Sequence, residues 1–197
     1  MKRTMRNLLT MIMAFVVLVT MLFNSINGCH AEASSKARKA KAAYAKLLSS
    51  WNGSGTDVLF AVIDINKDGI PEMIYSDDNL YHAEFMGYIN NKVKLLHEGF
   101  SGKQKYYPNK SLYYSYSGGH SYVSYSYYKF TGKKLKCVAE KKTENSIDKN
   151  PVYEYTVNGK KATKRQYKNY SKKLMIGAKE VKLKFHKNTV SNRKRYL

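Results

Sequence analysis

The sequence predicts an α+β domain in which an N-terminal helix packs on an antiparallel β-meander. Three patterns support this fold class: an apolar stripe with helical period near residue 40, a series of short β-branched and aromatic runs separated by turn residues, and a helix-capping signal near the C-terminus. A chain of 197 residues can bury a core of its own. We therefore expect one extracellular domain over residues 34–197, preceded by an export signal over residues 1–33.

The first 33 residues have the three-part layout of an export signal. Basic residues, an apolar run and a small-residue cleavage site follow one another as Lys2, Arg3 and Arg6, then Leu8 to Phe23, then Ala31-Glu32-Ala33. One alternative is a lipid anchor at Cys29, although Asn27 fits a lipidation site poorly. Another is an uncleaved membrane anchor, which a run shorter than the ~20 residues of a spanning helix disfavours. We expect a secreted protein, or one attached to the outer face of the cell membrane or cell wall.

Charge and cysteine content constrain the partners and the source of stability. The chain has 35 basic and 14 acidic residues and a formal charge of +21, which favours anionic partners. If Cys29 is removed or lipidated, Cys137 has no cysteine left to pair with, so stability must come from another source such as a metal ion. We expect Cys137 to be a small buried residue on a strand, the alternative being a reactive thiol.

The first helix is predicted from apolar positions three and four residues apart, namely Ala40, Ala43, Tyr44, Leu47, Leu48 and Trp51. We expect it to begin at Ser34 or Ser35 as N-cap and to end near Asn52-Gly53. The lysines between these positions indicate the exposed face of a packing helix, with a membrane-surface helix as the alternative.

The remaining elements are predicted to be mostly strands. Val58 to Ile63 is a continuous apolar run, typical of a strand buried on both faces. The other predicted strands are Glu72 to Tyr75, Glu84 to Ile89, Lys92 to Leu96, Leu112 to Tyr116, Ser121 to Phe130, Leu135 to Glu140 and Val152 to Val157, with a surface loop over Lys141 to Asn150. Thr163 and Gln166 form a capping box for a second helix that Gly177 closes, and a half-buried strand through Val181, Leu183 and Phe185 follows.

A calcium loop is predicted between the first two strands, in Asp64-Ile65-Asn66-Lys67-Asp68-Gly69-Ile70-Pro71-Glu72. Oxygen ligands at alternating positions suit Ca²⁺, and Gly69 suits the sharp turn. We expect five ligands: the side chains of Asp64, Asn66 and Asp68, the backbone carbonyl of Ile70, and Glu72 directly or through water. Clustered carboxylates in a basic chain are stabilised most simply by a cation. The alternative is an Asx-rich turn without an ion.

This motif resembles the Asp-x-Asn-x-Asp-Gly loops of EF-hands, dockerins and the β-hairpins of integrin-type FG-GAP repeats. The twelfth EF-hand position, normally Glu, falls on Tyr75, and Pro71 stands where an EF-hand helix would begin. The resemblance therefore implies the strand-loop-strand type, with Glu72 as the last ligand. The chain also resembles small secreted or surface-attached Gram-positive bacterial proteins that carry such loops.

Other chemistry-bearing residues give weaker signals. His82, His97, His120 and His186 have no spacing that suggests zinc or a catalytic triad, and we expect surface or hydrogen-bonded histidines. In the long tyrosine-rich strand, one face holds Val123, Tyr125 and Tyr127, and the other holds Tyr122, Ser124, Ser126, Tyr128 and Phe130. These tyrosines either pack across strands or lie exposed, where they could stack on sugar rings beside lysines that hold an anionic polymer.

We therefore expect a non-catalytic, calcium-stabilised extracellular monomer without a transmembrane segment in its mature form. The expected partner is an anionic envelope polymer or a glycan, and no motif predicts specific nucleic-acid binding. The alternative is a secreted hydrolase or inhibitor that acts on such polymers, which a cleft lined by Tyr, His and a free carboxylate would favour.

Overall fold

The computed structural model describes residues 32–51, 58–100, 103–119 and 121–197. The chain divides into two compact units, residues 1–36 and 37–197. The predicted basic start, apolar run and lipidation site at Cys29 lie outside the described residues, as does His120. Within the described part of the chain, no helix is both long and apolar enough to cross a membrane.

Five antiparallel strands form the first sheet. In chain order they are β1 (Val58–Ile63), β2 (Glu72–Asp77), β3 (His82–Ile89), β4 (Lys92–Phe100) and the short β11 (His186–Lys187), arranged as β11-β1-β2-β3-β4. Asn90 and Asn91 turn the chain between β3 and β4 with φ of 53° and 60°, as their tolerance of positive φ predicts.

Six antiparallel strands form the second sheet. They are β5 (Lys103–Tyr107), β6 (Leu112–Gly118), β7 (Val123–Phe130), β8 (Leu135–Thr143), β9 (Glu154–Val157) and β10 (Lys160–Lys161), in the order β10-β9-β8-β7-β6-β5. A single 3₁₀ turn, Pro108–Lys110, joins β5 to β6. The expected meander is therefore two sheets rather than one, and the α+β class is confirmed.

A shared apolar core joins the two sheets. Phe85 of β3 lies with its ring centroid 5.0 Å from that of Tyr113 on β6 and 6.2 Å from that of Phe130 on β7. Ile63 and Ile74 join this cluster from the first sheet. Complete burial of one such side chain stabilises the fold by roughly 1.5–3 kcal/mol, so this contact holds the sheets face to face.

Helices cover the outer faces of both sheets. The first helix, α1, spans residues 32–50 in the described part of the chain, and Ala40, Tyr44 and Leu48 pack against Phe60, Met73 and Met86. The second helix, α2 (Lys164–Met175), packs Tyr170 and Leu174 on the tyrosine-bearing face of the second sheet. A third helix, α3 (Val190–Tyr196), ends the chain.

The first strand and the second helix agree closely with the sequence. Phe60 of β1 faces α1 while Ile63 faces the shared core, so the prediction of a strand buried on both faces is confirmed. Thr163 and Gln166 form the predicted capping box at the start of α2, with the Gln166 amide donating to Thr163 Oγ1 at 3.2 Å.

Two boundaries differ from the prediction. Ser34 and Ser35 lie inside α1, which already includes residue 32, so neither serine is the N-cap. Val181 to Phe185 is not a continuous strand: Val181 bridges Tyr106 of the second sheet, whereas β11 pairs with β1 of the first. The segment passes from one sheet to the other, so it cannot follow a single strand.

Burial of His97 generates a prediction about acid stability. Its ring lies 4.4 Å from that of Tyr128, and Nε2 has no hydrogen-bond partner among the described residues. Burial lowers the pKa of His97 to about 4. The unfolded chain protonates His97 near the ordinary histidine pKa of about 6.5, whereas the folded chain keeps the ring neutral down to about pH 4. The free energy of unfolding should therefore fall by roughly 3 kcal/mol as the pH is lowered from 6.5 to 4.

Urea unfolding of wild type and His97→Gln between pH 4 and pH 7 measures this contribution. We expect the variant to lose less stability than wild type over that interval. His186→Gln, which leaves His97 in place, should keep the wild-type pH dependence. Equal pH dependence in wild type and His97→Gln would show that His97 is not the group responsible.

Candidate functional site

The predicted calcium loop connects β1 to β2, so its strand-loop-strand geometry is confirmed. Asp64 closes the turn, since its Oδ1 accepts from the Asp68 amide at 3.2 Å and its Oδ2 accepts from the Gly69 amide at 2.9 Å. Asp68 Oδ1 accepts from the Ile70 amide at 2.8 Å. Gly69 has φ of +80°, a conformation that glycine adopts without steric strain. The loop therefore gathers the first three predicted side-chain ligands.

Glu72, the last predicted side-chain ligand, is buried at the start of β2 with only 3% of its surface exposed. Its Oε2 accepts from the Ile65 amide at 3.1 Å. Burial, together with the nearby carboxylates of Asp68 and Asp64, raises the pKa of Glu72 to about 8. The loop thus holds three mutually repelling carboxyl groups, and ionising the buried one costs free energy.

Asn66 completes the group of side chains. Its Nδ2 donates to Asp68 Oδ2 at 2.7 Å, whereas its Oδ1 is buried without a hydrogen-bond partner among the described residues. A buried carbonyl oxygen without a partner is costly. Oxygen donors from Asp64, Asn66, Asp68 and Glu72, with the backbone at Ile70, match the hard-cation preference of Ca²⁺. The residues present therefore fit such an ion.

Tyr75, at the twelfth position counted from Asp64, is not part of the loop. It lies on β2 and packs against Trp51, with ring centroids 4.3 Å apart. Both flanks of the loop are strands rather than helices. The difference from the EF-hand pattern at Tyr75 and Pro71 therefore identified the correct local geometry.

A second group of side chains crosses the outer face of the second sheet. Strand pairing places five residues side by side, here called the tyrosine–lysine row: Lys103, Tyr116, Tyr125, Lys141 and Tyr155. The Tyr116 and Tyr125 rings lie 5.2 Å apart. Lys141 Nζ lies 4.9 Å from the Tyr125 ring centroid and 3.8 Å from that of Tyr153. Its ammonium group is thus held between two aromatic faces.

The first turn of α2 adds positive charge beside this row. Burial and the charges of Lys164 and Lys168 lower the pKa of Lys141. The first turn of α2 contains no acidic residue, so no carboxylate offsets the positive end of the helix dipole there. Lysines brought close together repel one another, and an anion would relieve that repulsion.

The two faces of β7 differ in burial. The face with Ser124, Ser126 and Phe130 is buried between the sheets, and Ser124 and Ser126 both donate to Glu140 Oε1, at 3.0 and 3.2 Å. The opposite face carries Tyr125 and Tyr127. Tyr127 is covered by α2, whereas Tyr125 is half-exposed in the row.

Lys141 was missed as a site residue because the predicted strand ended at Glu140. Strand β8 continues to Thr143, since Lys141 and Lys142 pair with both β7 and β9 while their side chains point to opposite faces. Alternation of side chains beyond Glu140 was the available signal. A β-bulge at Tyr127/Tyr128 then sets which residue faces Tyr125.

Cys137 and one surface cavity are further described features that bear on chemistry. Cys137 lies on strand β8, as expected, although it is half-buried rather than fully buried, and burial raises the pKa of its thiol to about 11, which disfavours the reactive thiolate. A cavity of about 280 Å³ is lined by Ser76, Leu80, Ala83, Gln104, Glu180, Lys182, Leu183 and Phe185. That lining contains the carboxylate of Glu180 but neither histidine nor tyrosine, so it is not the cleft that would favour the hydrolase alternative.

Comparison with known proteins gives no match: no family model, no curated protein and no solved structure is significantly similar to this chain. The resemblances to FG-GAP-type loops and to Gram-positive surface proteins therefore stay predictions from the sequence.

Glu72 gives the site a characteristic pH response when calcium is removed. The unfolded chain releases the Glu72 proton near the ordinary glutamate value, whereas the folded chain holds it until about pH 8. Stability without calcium should therefore fall as the pH rises from about 4.5 to 8, by roughly 3–5 kcal/mol. Glu72→Gln, which cannot ionise, should lose this dependence and be more stable than wild type at pH 8 in a calcium chelator. A Glu72→Gln variant that is less stable there would contradict the assignment.

Proposed function

We propose that this protein is a non-catalytic, calcium-stabilised extracellular module that binds an anionic envelope polymer or glycan through the tyrosine–lysine row. The observation that carries the proposal is the row itself, in which three half-exposed tyrosines and two lysines lie side by side across five paired strands. Tyrosine rings offer flat apolar faces for sugar rings, and lysines offer charge for acidic groups.

The dimensions of the row suit a chain-like ligand. Neighbouring strands lie about 4.8 Å apart, so five strands place the row along ~19 Å of the sheet surface. That length exceeds a single sugar or phosphate group and matches several repeating units of a polymer. The formal charge of +21 attracts a polyanion from a distance, and Lys164 and Lys168 add positive charge beside Lys141 of the row.

Calcium has a structural role in this proposal. The ligands would be Asp64, Asn66, Asp68, Glu72 and the backbone carbonyl of Ile70, and the ion would balance carboxylates that otherwise repel one another. The Ile65 side chain within the loop is fully buried in the shared core. An ion that fixes the loop would therefore fix one end of that core and stabilise the fold without touching the polymer.

The calcium part of the proposal predicts a shift in melting temperature. Removing calcium with a calcium-selective chelator should lower the melting temperature by about 5–10 °C relative to calcium at 100 times its dissociation constant. Differential scanning calorimetry of wild type, Asp64→Asn and Glu72→Gln measures this shift. Both variants should lose most of the calcium response, whereas Glu144→Gln, an exposed acid outside the loop, should keep it. An unchanged wild-type melting curve would sink the calcium assignment.

The polymer part predicts salt-sensitive binding that depends on the row. Affinity for a poly(glycerol phosphate) chain should fall steeply as salt rises from 50 to 500 mM, because lysine–phosphate attraction is screened. Lys141→Gln should weaken binding about fivefold, which corresponds to ~1 kcal/mol. Tyr125→Thr should have a similar effect, because it removes one of the two rings that hold the Lys141 ammonium group. Surface plasmon resonance with immobilised polymer gives these affinities.

Matched controls for the polymer experiment come from the first sheet and its turns. Tyr81→Thr removes a tyrosine that is 55% exposed, and Lys92→Gln removes an exposed strand lysine, both outside the row. They should bind the polymer like wild type. Equal loss in the row and control variants would mean that net charge alone, and not the row, holds the polymer.

A further inference from the structure

One histidine and two glutamates meet on the first sheet, away from the calcium loop. The ligand atoms of His82, Glu84 and Glu98 all lie within 4.8 Å of one another. His82 Nε2 lies 2.9 Å from Glu98 Oε1 and 3.9 Å from Glu84 Oε1. Glu84 is the most enclosed of the three, with 15% of its side chain exposed, and Glu98 is open to solvent at 47%. An ion can therefore reach the cluster from outside.

Strand pairing brings these residues together. His82 and Glu84 are two positions apart on β3, so their side chains point to the same face. The β3–β4 hairpin pairs regularly from Ile89 with Lys92 to Met86 with Leu95, and a β-bulge then pairs Phe85 with His97 and Glu84 with Glu98. Without the bulge, Glu84 would face His97. Sequence spacing alone therefore did not reveal the cluster.

We propose that His82, Glu84 and Glu98 form a binding site for a divalent transition-metal ion, represented by Zn²⁺. Such ions bind imidazole nitrogen together with carboxylate oxygen, at about 2.0–2.2 Å from each donor. Ligand atoms at the corners of a tetrahedron of that size lie roughly 3.3 Å apart. The nitrogen–oxygen distances of 2.9 and 3.9 Å lie on either side of this value, so side-chain rotations suffice to close the site.

The surroundings of the cluster favour a bound cation. Glu84 and Glu98 are directly opposed across neighbouring strands, an arrangement of like charges that destabilises a sheet. Among the described residues, the ion-pair partner of both carboxylates is His82, which balances them only when protonated. A bound metal ion would compensate the two negative charges while the imidazole of His82 stays neutral. The fold thus places two acids together in a chain where basic residues outnumber acidic ones.

The supporting residue for this site is Tyr75 of β2. Its hydroxyl lies beside the Glu84 carboxylate, where it can donate a hydrogen bond, and its ring packs against Trp51. Hydrogen bonds to ligating carboxylates fix their orientation, and their loss commonly reduces metal affinity 10–100-fold. The cluster therefore has both ligands and a positioning residue.

This site would be chemically distinct from the calcium loop. Ca²⁺ takes six to eight oxygen ligands at 2.3–2.6 Å, whereas this cluster offers three ligands, of which one is nitrogen. Three protein ligands leave at least one coordination position for water or for a group of a bound partner. The inference stands independently of the proposed polymer binding, because it uses residues of the first sheet and none of the tyrosine–lysine row.

Isothermal titration of the purified protein with ZnCl₂ tests the proposal, with saturating Ca²⁺ present so that the loop carboxylates do not compete. We expect one high-affinity Zn²⁺ per chain. His82→Asn, Glu84→Gln and the more exposed Glu98→Gln should each weaken Zn²⁺ binding at least tenfold, and Tyr75→Phe should weaken it with the ligands intact. His186→Asn and Glu144→Gln, which remove a histidine and an acid elsewhere, should bind Zn²⁺ like wild type.

Co²⁺ substitution supplies a second readout, because a tetrahedral site with nitrogen and oxygen ligands absorbs visible light much more strongly than octahedral hydrated Co²⁺ does. We expect the spectrum to saturate at one equivalent of Co²⁺ in wild type and to be absent in Glu98→Gln. Because the Glu98 side chain is exposed, this variant should still fold. No Zn²⁺ binding by wild type, or equal binding by wild type and all three ligand variants, would overturn the proposal. Unchanged melting temperatures of the variants in the absence of Zn²⁺ exclude misfolding as the cause of lost binding.

Discussion

Packing of Phe85 against Tyr113 and Phe130 is the contact on which the rest of the molecule depends. It buries one face of each sheet in a shared core. Because successive side chains of a strand point to opposite faces, every second residue then lies on the outer face of its sheet. The outer face of the first sheet receives α1, and the outer face of the second receives α2 over only part of its width. The uncovered part includes Tyr116 and Tyr125 of the tyrosine–lysine row, whereas Tyr155 of the row packs against Tyr167 of α2.

The candidate sites differ in how they relate to this core. The calcium loop is anchored in it through Ile65, so anything that orders the loop is transmitted to the stability of the whole domain. The tyrosine–lysine row lies on the far side of the second sheet, where substitutions of half-exposed side chains leave the core packing unchanged. Stability and binding can therefore be altered separately in this protein, whose described part contains no disulfide.

The features of this fold that depend on neighbouring residues could be predicted from the sequence, whereas the features that depend on long-range strand pairing could not. The Asn90-Asn91 turn, the Thr163 capping box and the strand-loop-strand loop depend on residues close in sequence, and each was predicted correctly. The division into two sheets and the course of residues 181–185 depend on which strands find each other in space. For the same reason the loop ligands could be named from the sequence, whereas Lys141 and the cluster of His82 and Glu98 could not, since each is set by a bulge in a hairpin.

The bulge in the β3–β4 hairpin also affects how this sequence can change during evolution. Strand β4 contains one residue more than regular pairing requires between the turn and Glu98, and Leu96 is the residue left without a partner. Loss of one residue from that interval could be absorbed by straightening the strand, with Glu98 still opposite Glu84. A gained residue would need a second irregularity or would move every later side chain to the other face. The hairpin can therefore tolerate the deletion of one residue from this interval better than the insertion of one.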